Sequence, residues 1–101
     1  ILQISILLFL WSVIRLFRVK GSSMLPSFKP GQIVFARKTR NLSINDVVVL
    51  KTHDNSQIIK RISKIQNREI RVSGDNSEYD SRYYSQKFNS DSVLGKVFFK
   101  I

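Results

Sequence analysis

Cysteine is absent from this 101-residue chain, which rules out disulfide staples, thiol catalysis and thiolate-bound metals. Histidine occurs once, at His53, and the seven acidic residues form no cluster at ligand spacing, so neither a nitrogen-ligated nor an oxygen-ligated metal site is expected. Acidic charge is itself scarce: seven Asp and Glu face seventeen Lys and Arg, for a net charge of +10. Such a surface attracts phosphate, in nucleic acid or in lipid headgroups. The basic residues run from Arg15 to Lys100 without the aromatic-interleaved ribbon of a single-strand binder, which counts against nucleic acid. Internal repeats and low-complexity tracts are also missing, and the length allows one domain with one modest core.

One long apolar run is present. Residues 1–14 read ILQISILLFLWSVI, interrupted only by Gln3, Ser5 and Ser12. Fourteen helical residues rise about 21 Å, short of a bilayer core unless Leu16 and Phe17 extend them. The expectation is an N-terminal apolar helix over residues 1–17 that anchors the chain to a membrane, with Arg15, Arg18 and Lys20 at the headgroups. Those cations would sit on the cytoplasmic side under the positive-inside rule, so the side of the membrane stays open. A signal-peptide core and a helix lying in the interface are the alternatives for this segment.

After the run, the apolar period changes to two, in short β-branched and aromatic stretches separated by turn formers. Strands are expected at 17–20, 32–38, 46–51, 57–65, 69–73 and 93–101, so residues 18–101 should form an all-β domain. Lys29-Pro30-Gly31, residues 41–45, 52–56, Gln66-Asn67 and 74–79 supply the turns.

Chemistry points first to Gly21-Ser22-Ser23-Met24-Leu25-Pro26. Gly21 permits close approach and Pro26 fixes the backbone, which suits a serine presented on a rigid turn, although an ordinary connecting turn reads the same way locally. A serine needs a base. Lys60 is a candidate: on a strand it shares a face with Ile58 and Ile62, and apolar surroundings lower an amine's pKa towards the value a general base needs. A snorkelling surface lysine is the plainer alternative. His53 lies in Thr52-His53-Asp54-Asn55-Ser56, a polar turn that should be exposed, and is set aside as a triad base.

SSMLP, GQIVFARK, IIKRISKI, GDN and DSRYY occur in that order, and together they resemble the type I signal peptidase family of serine–lysine proteases over most of the chain beyond the apolar run. The resemblance implies a small coiled, barrel-like antiparallel β-sheet as catalytic domain. It makes Ser23 the nucleophile and Lys60 the general base. Gly21 and Ser22 would stand beside the oxyanion, with the Ser23 backbone N–H as donor because Gly21 replaces a hydroxyl that some members carry. Ser77 would orient Lys60, in a loop two residues shorter than the family's usual spacing. Met24, Pro26, Arg61, Gly74, Asp75, Asn76, Asp80, Ser81 and Arg82 would support the site. The implied activity is removal of N-terminal leader peptides from precursor proteins through an acyl-enzyme, without a cofactor, at membrane lipid. The short connection between the Lys60 block and GDN is similar to that of the compact branch of nickel-type superoxide dismutase maturation proteases. A self-cleaving repressor-type protease and a non-enzymatic basic β-domain tethered to an anionic membrane are the remaining alternatives.

Overall fold

Val47 to Val49 and the Ile-rich stretch around Lys60 carry β-branched residues on both sides of the alternation, as expected of strands covered on two faces. The computed structural model, which describes residues 13–76 and 87–101, contains seven strands: β1 (Ile14–Arg18), β2 (Ile33–Arg37), β3 (Val47–Lys51), β4 (Gln57–Gln66), β5 (Glu69–Ser73), β6 (Lys87–Asn89) and β7 (Val93–Lys100). One 3-10 turn, Ser90–Ser92, precedes β7. All strands join one antiparallel sheet in the order β1-β2-β7-β3-β4-β5-β6, curled into a half-barrel. Three register shifts, at Phe35/Ala36, Val49/Leu50 and Ile62/Lys64, insert extra residues that strengthen local twist and help the sheet curl.

The shift in β4 also repairs the sequence pattern. Ile58 and Ile62 alternate correctly, but Ile65 is one residue out of phase. The bulge around Ser63 restores it, so that Ile65 pairs with Ile70 and packs on the same cluster.

Two cores result. The first holds Val48, Leu50, Ile62, Ile70, Val72 and Phe88. The second holds Val19, Met24, Phe28, Val34 and Val47, with Phe17, Ile59 and Val97 packed on it. Ile58 joins the first and its neighbour Ile59 the second, so β4 is covered on both faces.

Sequence alternation and structure differ at the N-terminal side. Residues 14–17, expected in the anchor helix, are strand: Ile14–Arg18 pairs along β2, and Phe17 packs on the second core. A continuous apolar run has no period that separates helix from strand, and here non-local pairing with β2 decides. The rest of the expected anchor, residues 1–12, lies outside the described residues. Among those described, no helix is long and apolar enough to cross a membrane. Val19 and Lys20, expected in the first strand, follow it as a connection in which Val19 still exchanges backbone bonds with Gln32 and Gly31.

Candidate active site

Gly21 opens the Ser23 turn at φ +77°, a conformation that a β-carbon resists. The turn closes on itself through Leu25 N–H to Ser22 O at 3.2 Å and Phe28 N–H to Met24 O at 2.9 Å, with a cis bond between Leu25 and Pro26. Met24 drives its side chain into the second core and is 1% exposed. Burying a methionine side chain stabilises by about 2 kcal/mol, so Met24 fastens the turn from below while Ser22 and Ser23 stay half-buried at the surface. Pro26 is exposed.

The same turn is held from the side by the end of β5. Asn76 donates its backbone N–H to Ser23 O and its side-chain Nδ2 to Ser22 O, both at 2.9 Å. Gly74 lies so close that an added β-carbon would stand 2.6 Å from Ser23 O and 3.3 Å from Ser23 Cβ. Asp75, between them, accepts two bonds from Arg61: Nε to Oδ1 at 2.9 Å and Nη2 to Oδ2 at 2.8 Å. These bonds hold the Asp75 carboxyl below the usual carboxylate range against the opposing effect of burial, and the Ser27 side chain adds a further hydrogen bond. Arg61 also reaches Asn45 O with Nη1, at 2.8 Å, which ties the turn before β3 into the same assembly.

Lys60 is buried, at 3% exposure, and shares that status only with Thr52 among polar side chains of the described residues. Its cross-strand partner is Val48, and Ile58 and Ile62 flank it in the first core. Desolvation by these groups pushes the amine below its ordinary value of 10.5, the effect inferred from the two isoleucines. Residue to residue, Lys60 adjoins Arg61, Arg61 stands opposite Ser73, and Gly74 after Ser73 touches Ser23. The Ser23 turn and the lysine strand are therefore joined across the β4–β5 pair.

His53 is exposed in a turn closed by Thr52 N–H to Ser56 O at 2.8 Å, as its polar surroundings in the sequence predict. Ser77, Asp80, Ser81 and Arg82 lie outside the described residues. Two braces had no sequence signal. Lys100 donates to Ser27 O while its Nζ stands 5.0 Å from the centre of the Phe28 ring, and Ser27 bonds to Asp75. Lys100 lies 73 residues from Ser27, so no local pattern could have revealed the contact.

The curled antiparallel half-barrel thus clamps the Ser23 turn with the residues that follow β5 and buries a lysine on β4. The sequence profile of the Peptidase S24-like family matches residues 12–98, and the chain belongs to that family. The assignment supports a serine-type peptidase fold and does not extend to the type I signal peptidase resemblance. A search among curated proteins returns no match.

Proposed function

We propose that this chain is a membrane-associated serine endopeptidase that removes N-terminal leader peptides, with Ser23 as nucleophile and Lys60 as general base. The observation that carries the reading is the burial of the Lys60 amine among Val48, Ile58 and Ile62, which lowers its pKa and readies the neutral form. In the first step Lys60 Nζ takes the Ser23 hydroxyl proton as Oγ attacks the scissile carbonyl carbon. The oxyanion of the tetrahedral intermediate is held by the Ser23 backbone N–H, whose orientation the bonds to Asn76 and the Gly74 contact fix in advance. Collapse expels the downstream amine, which receives the proton from Lys60, and leaves an ester on Ser23. Water, deprotonated by the same amine, then hydrolyses the ester.

The β4–β5 connection favours the compact branch within this reading. Gln66 pairs directly with Glu69 across Asn67 and Arg68, with Asn67 at φ 57°, so no insert follows the lysine strand. A dedicated maturation protease for a nickel-type superoxide dismutase is the narrower form of the same activity. Residues 1–12 serve as the anchor in this reading.

The test is cleavage of a leader-peptide substrate by wild type, Ser23→Ala and Ser22→Ala. Loss of activity in Ser23→Ala, with substantial activity retained in Ser22→Ala, is the expected result. Equal cleavage by wild type and Ser23→Ala rejects the peptidase reading and leaves a membrane-tethered interaction domain.

A further inference from the structure

The bulge in β4 that returns Ile65 to the first core also turns Lys64 outward. Continued without a shift, the Arg61–Ser73 and Ile62–Val72 pairs would set Ser63 opposite Arg71 and Lys64 opposite the buried Ile70. Instead Lys64 stands opposite Arg71, and Ser63 donates its hydroxyl to Arg71 O at 3.2 Å. Arg71 in turn stands opposite Lys87 on β6. The three cations form one row across β4, β5 and β6, on the face away from Ile65, Ile70, Val72 and Phe88, which pack in the first core. Direct partners on neighbouring strands hold their β-carbons about 5 Å apart, and like charges so placed repel. Lys64 and Arg71 pair with no carboxylate among the described residues, and Lys87 reaches only Glu69, at 3.7 Å with both side chains about half exposed. Positive charge concentrated in this way attracts an anionic partner.

The surroundings select its chemistry. On the same face the neighbouring pairs are Arg61 with Ser73 and Gln66 with Glu69 and Asn89, so no aromatic or aliphatic side chain stands beside the row. Single-stranded nucleic acid would lack the rings on which its bases stack, and a bilayer would lack an apolar wedge. Hydroxyl and amide groups interspersed with cations suit carboxylates and the peptide amides between them. Lys87 also lines a cleft of about 490 Å³ with Gln66, Arg68 and Asn89, which adds a fourth cation at the β6 end of the row. Arg71 precedes Gly74 by only three residues, about 10 Å of strand, and Gly74 touches Ser23. A peptide passing the Ser23 turn is therefore within a few residues of the row.

We propose that the Lys64, Arg71 and Lys87 row is an exosite for an acidic peptide segment, and that through it the protein holds the precursor whose leader is cut at Ser23. The second clause rests on the peptidase reading above, and the first does not. Substrates with a run of Asp or Glu near the cleavage point are the class that this row favours.

Binding is measured by fluorescence anisotropy on the 101-residue chain carrying Ser23→Ala, with a fluorescein-labelled deca-glutamate peptide as the probe. Lys64→Gln/Arg71→Gln/Lys87→Gln is compared with Arg37→Gln/Lys38→Gln/Arg40→Gln, which removes the same charge from exposed positions away from the row. The row variant should weaken probe binding by more than about tenfold and the control variant by less than about threefold. It should also unfold at a higher urea concentration than the unsubstituted chain, because repulsion is relieved. With Ser23 intact, a leader peptide followed by glutamates should be cut with a several-fold higher kcat/KM than the same peptide with glutamines, and the row variant should erase that preference. Five results overturn the proposal: no binding of the probe, equal loss in both variants, a row variant less stable than its parent, tighter binding of oligothymidylate or phosphatidylglycerol vesicles than of the probe, or a glutamate preference that survives in the row variant. Binding is read without catalysis, so row-dependent binding by a chain that cuts no leader peptide would reject the peptidase reading and leave the acidic-peptide site standing.

Discussion

Arg61 and Asp75 meet through two parallel N–H···O bonds of 2.9 and 2.8 Å, and this pair sets the position of the strand end that grips Ser23. A planar guanidinium can make both bonds at once, whereas an ammonium makes a single point contact. Arg61→Lys should lower cleavage by about tenfold or more and cost about 1 kcal/mol of stability, the modest figure reflecting a side chain still 31% exposed. Urea unfolding and kcat/KM measured together check this. An unchanged rate would show that the pair does not position the turn.

The same pair has a pH signature. Folding lowers the Asp75 pKa, so its contribution is complete above the ordinary carboxylate value of 3.8 and is lost as pH falls through the lower folded value. Asp75→Asn should therefore flatten the acid limb of the stability curve below about pH 4 while leaving its slope near neutrality alone. Parallel acid limbs for wild type and Asp75→Asn contradict the assignment.

Lys60 gives a slope of the same sign, from desolvation of an ammonium rather than from pairing of a carboxylate. Its folded pKa lies below 10.5, so between the two values the unfolded chain holds more protons and stability rises with pH, levelling off above 10.5. Lys60→Met should remove that rise. Lys60→Arg should be as inactive as Lys60→Met, because a guanidinium cannot accept a proton at working pH. Denaturation midpoints across an alkaline pH series test the first claim, and substantial turnover by Lys60→Arg defeats the second.

Gly74→Ala should damage function more than its size suggests. The new methyl would meet the carbonyl oxygen of Ser23 at 2.6 Å, a backbone atom that cannot swing aside as the end of a flexible side chain could. The expectation is a fall in kcat of about a hundredfold, since displacing a reacting group by about 1 Å costs that much. Near-normal kcat in Gly74→Ala would mean that the contact is slack.

Asn76→Ala removes the side-chain bond to Ser22 O but keeps the backbone bond to Ser23 O. A loss of about 1 kcal/mol in stability is expected, with kcat reduced and KM little changed. A rise in KM alone would transfer Asn76 from positioning the nucleophile to binding substrate.

Much of this was readable from residue order. Alternation placed β2, β3, β5 and β7 within a residue or so at each end, and the two isoleucines around Lys60 foretold its desolvation. Three things could not be read. The apolar run conceals where β1 begins, because residues 14–17 become strand only through pairing with β2. Lys87–Asn89 offers one apolar side chain, Phe88, too little for a period, yet that ring completes the first core. The braces on the Ser23 turn depend on contacts between distant residues, Asn76 to Ser22 and Lys100 to Ser27, which only the closed sheet creates. The motif order resembles type I signal peptidases, whereas the family shown for the chain is Peptidase S24-like, which supports the peptidase class and not that particular family.

Asn76 reaches Ser22 across 54 residues of chain, and both carbonyls around the candidate nucleophile depend on it. During synthesis the Ser23 turn leaves the ribosome long before its clamp does, and β7, with Lys100, comes last of the strands. A nascent or fragmentary chain thus carries the serine without the frame that would arm it. In the proposed reading, hydrolytic competence arrives only with completion of the sheet, so an unfinished chain cannot cut its neighbours.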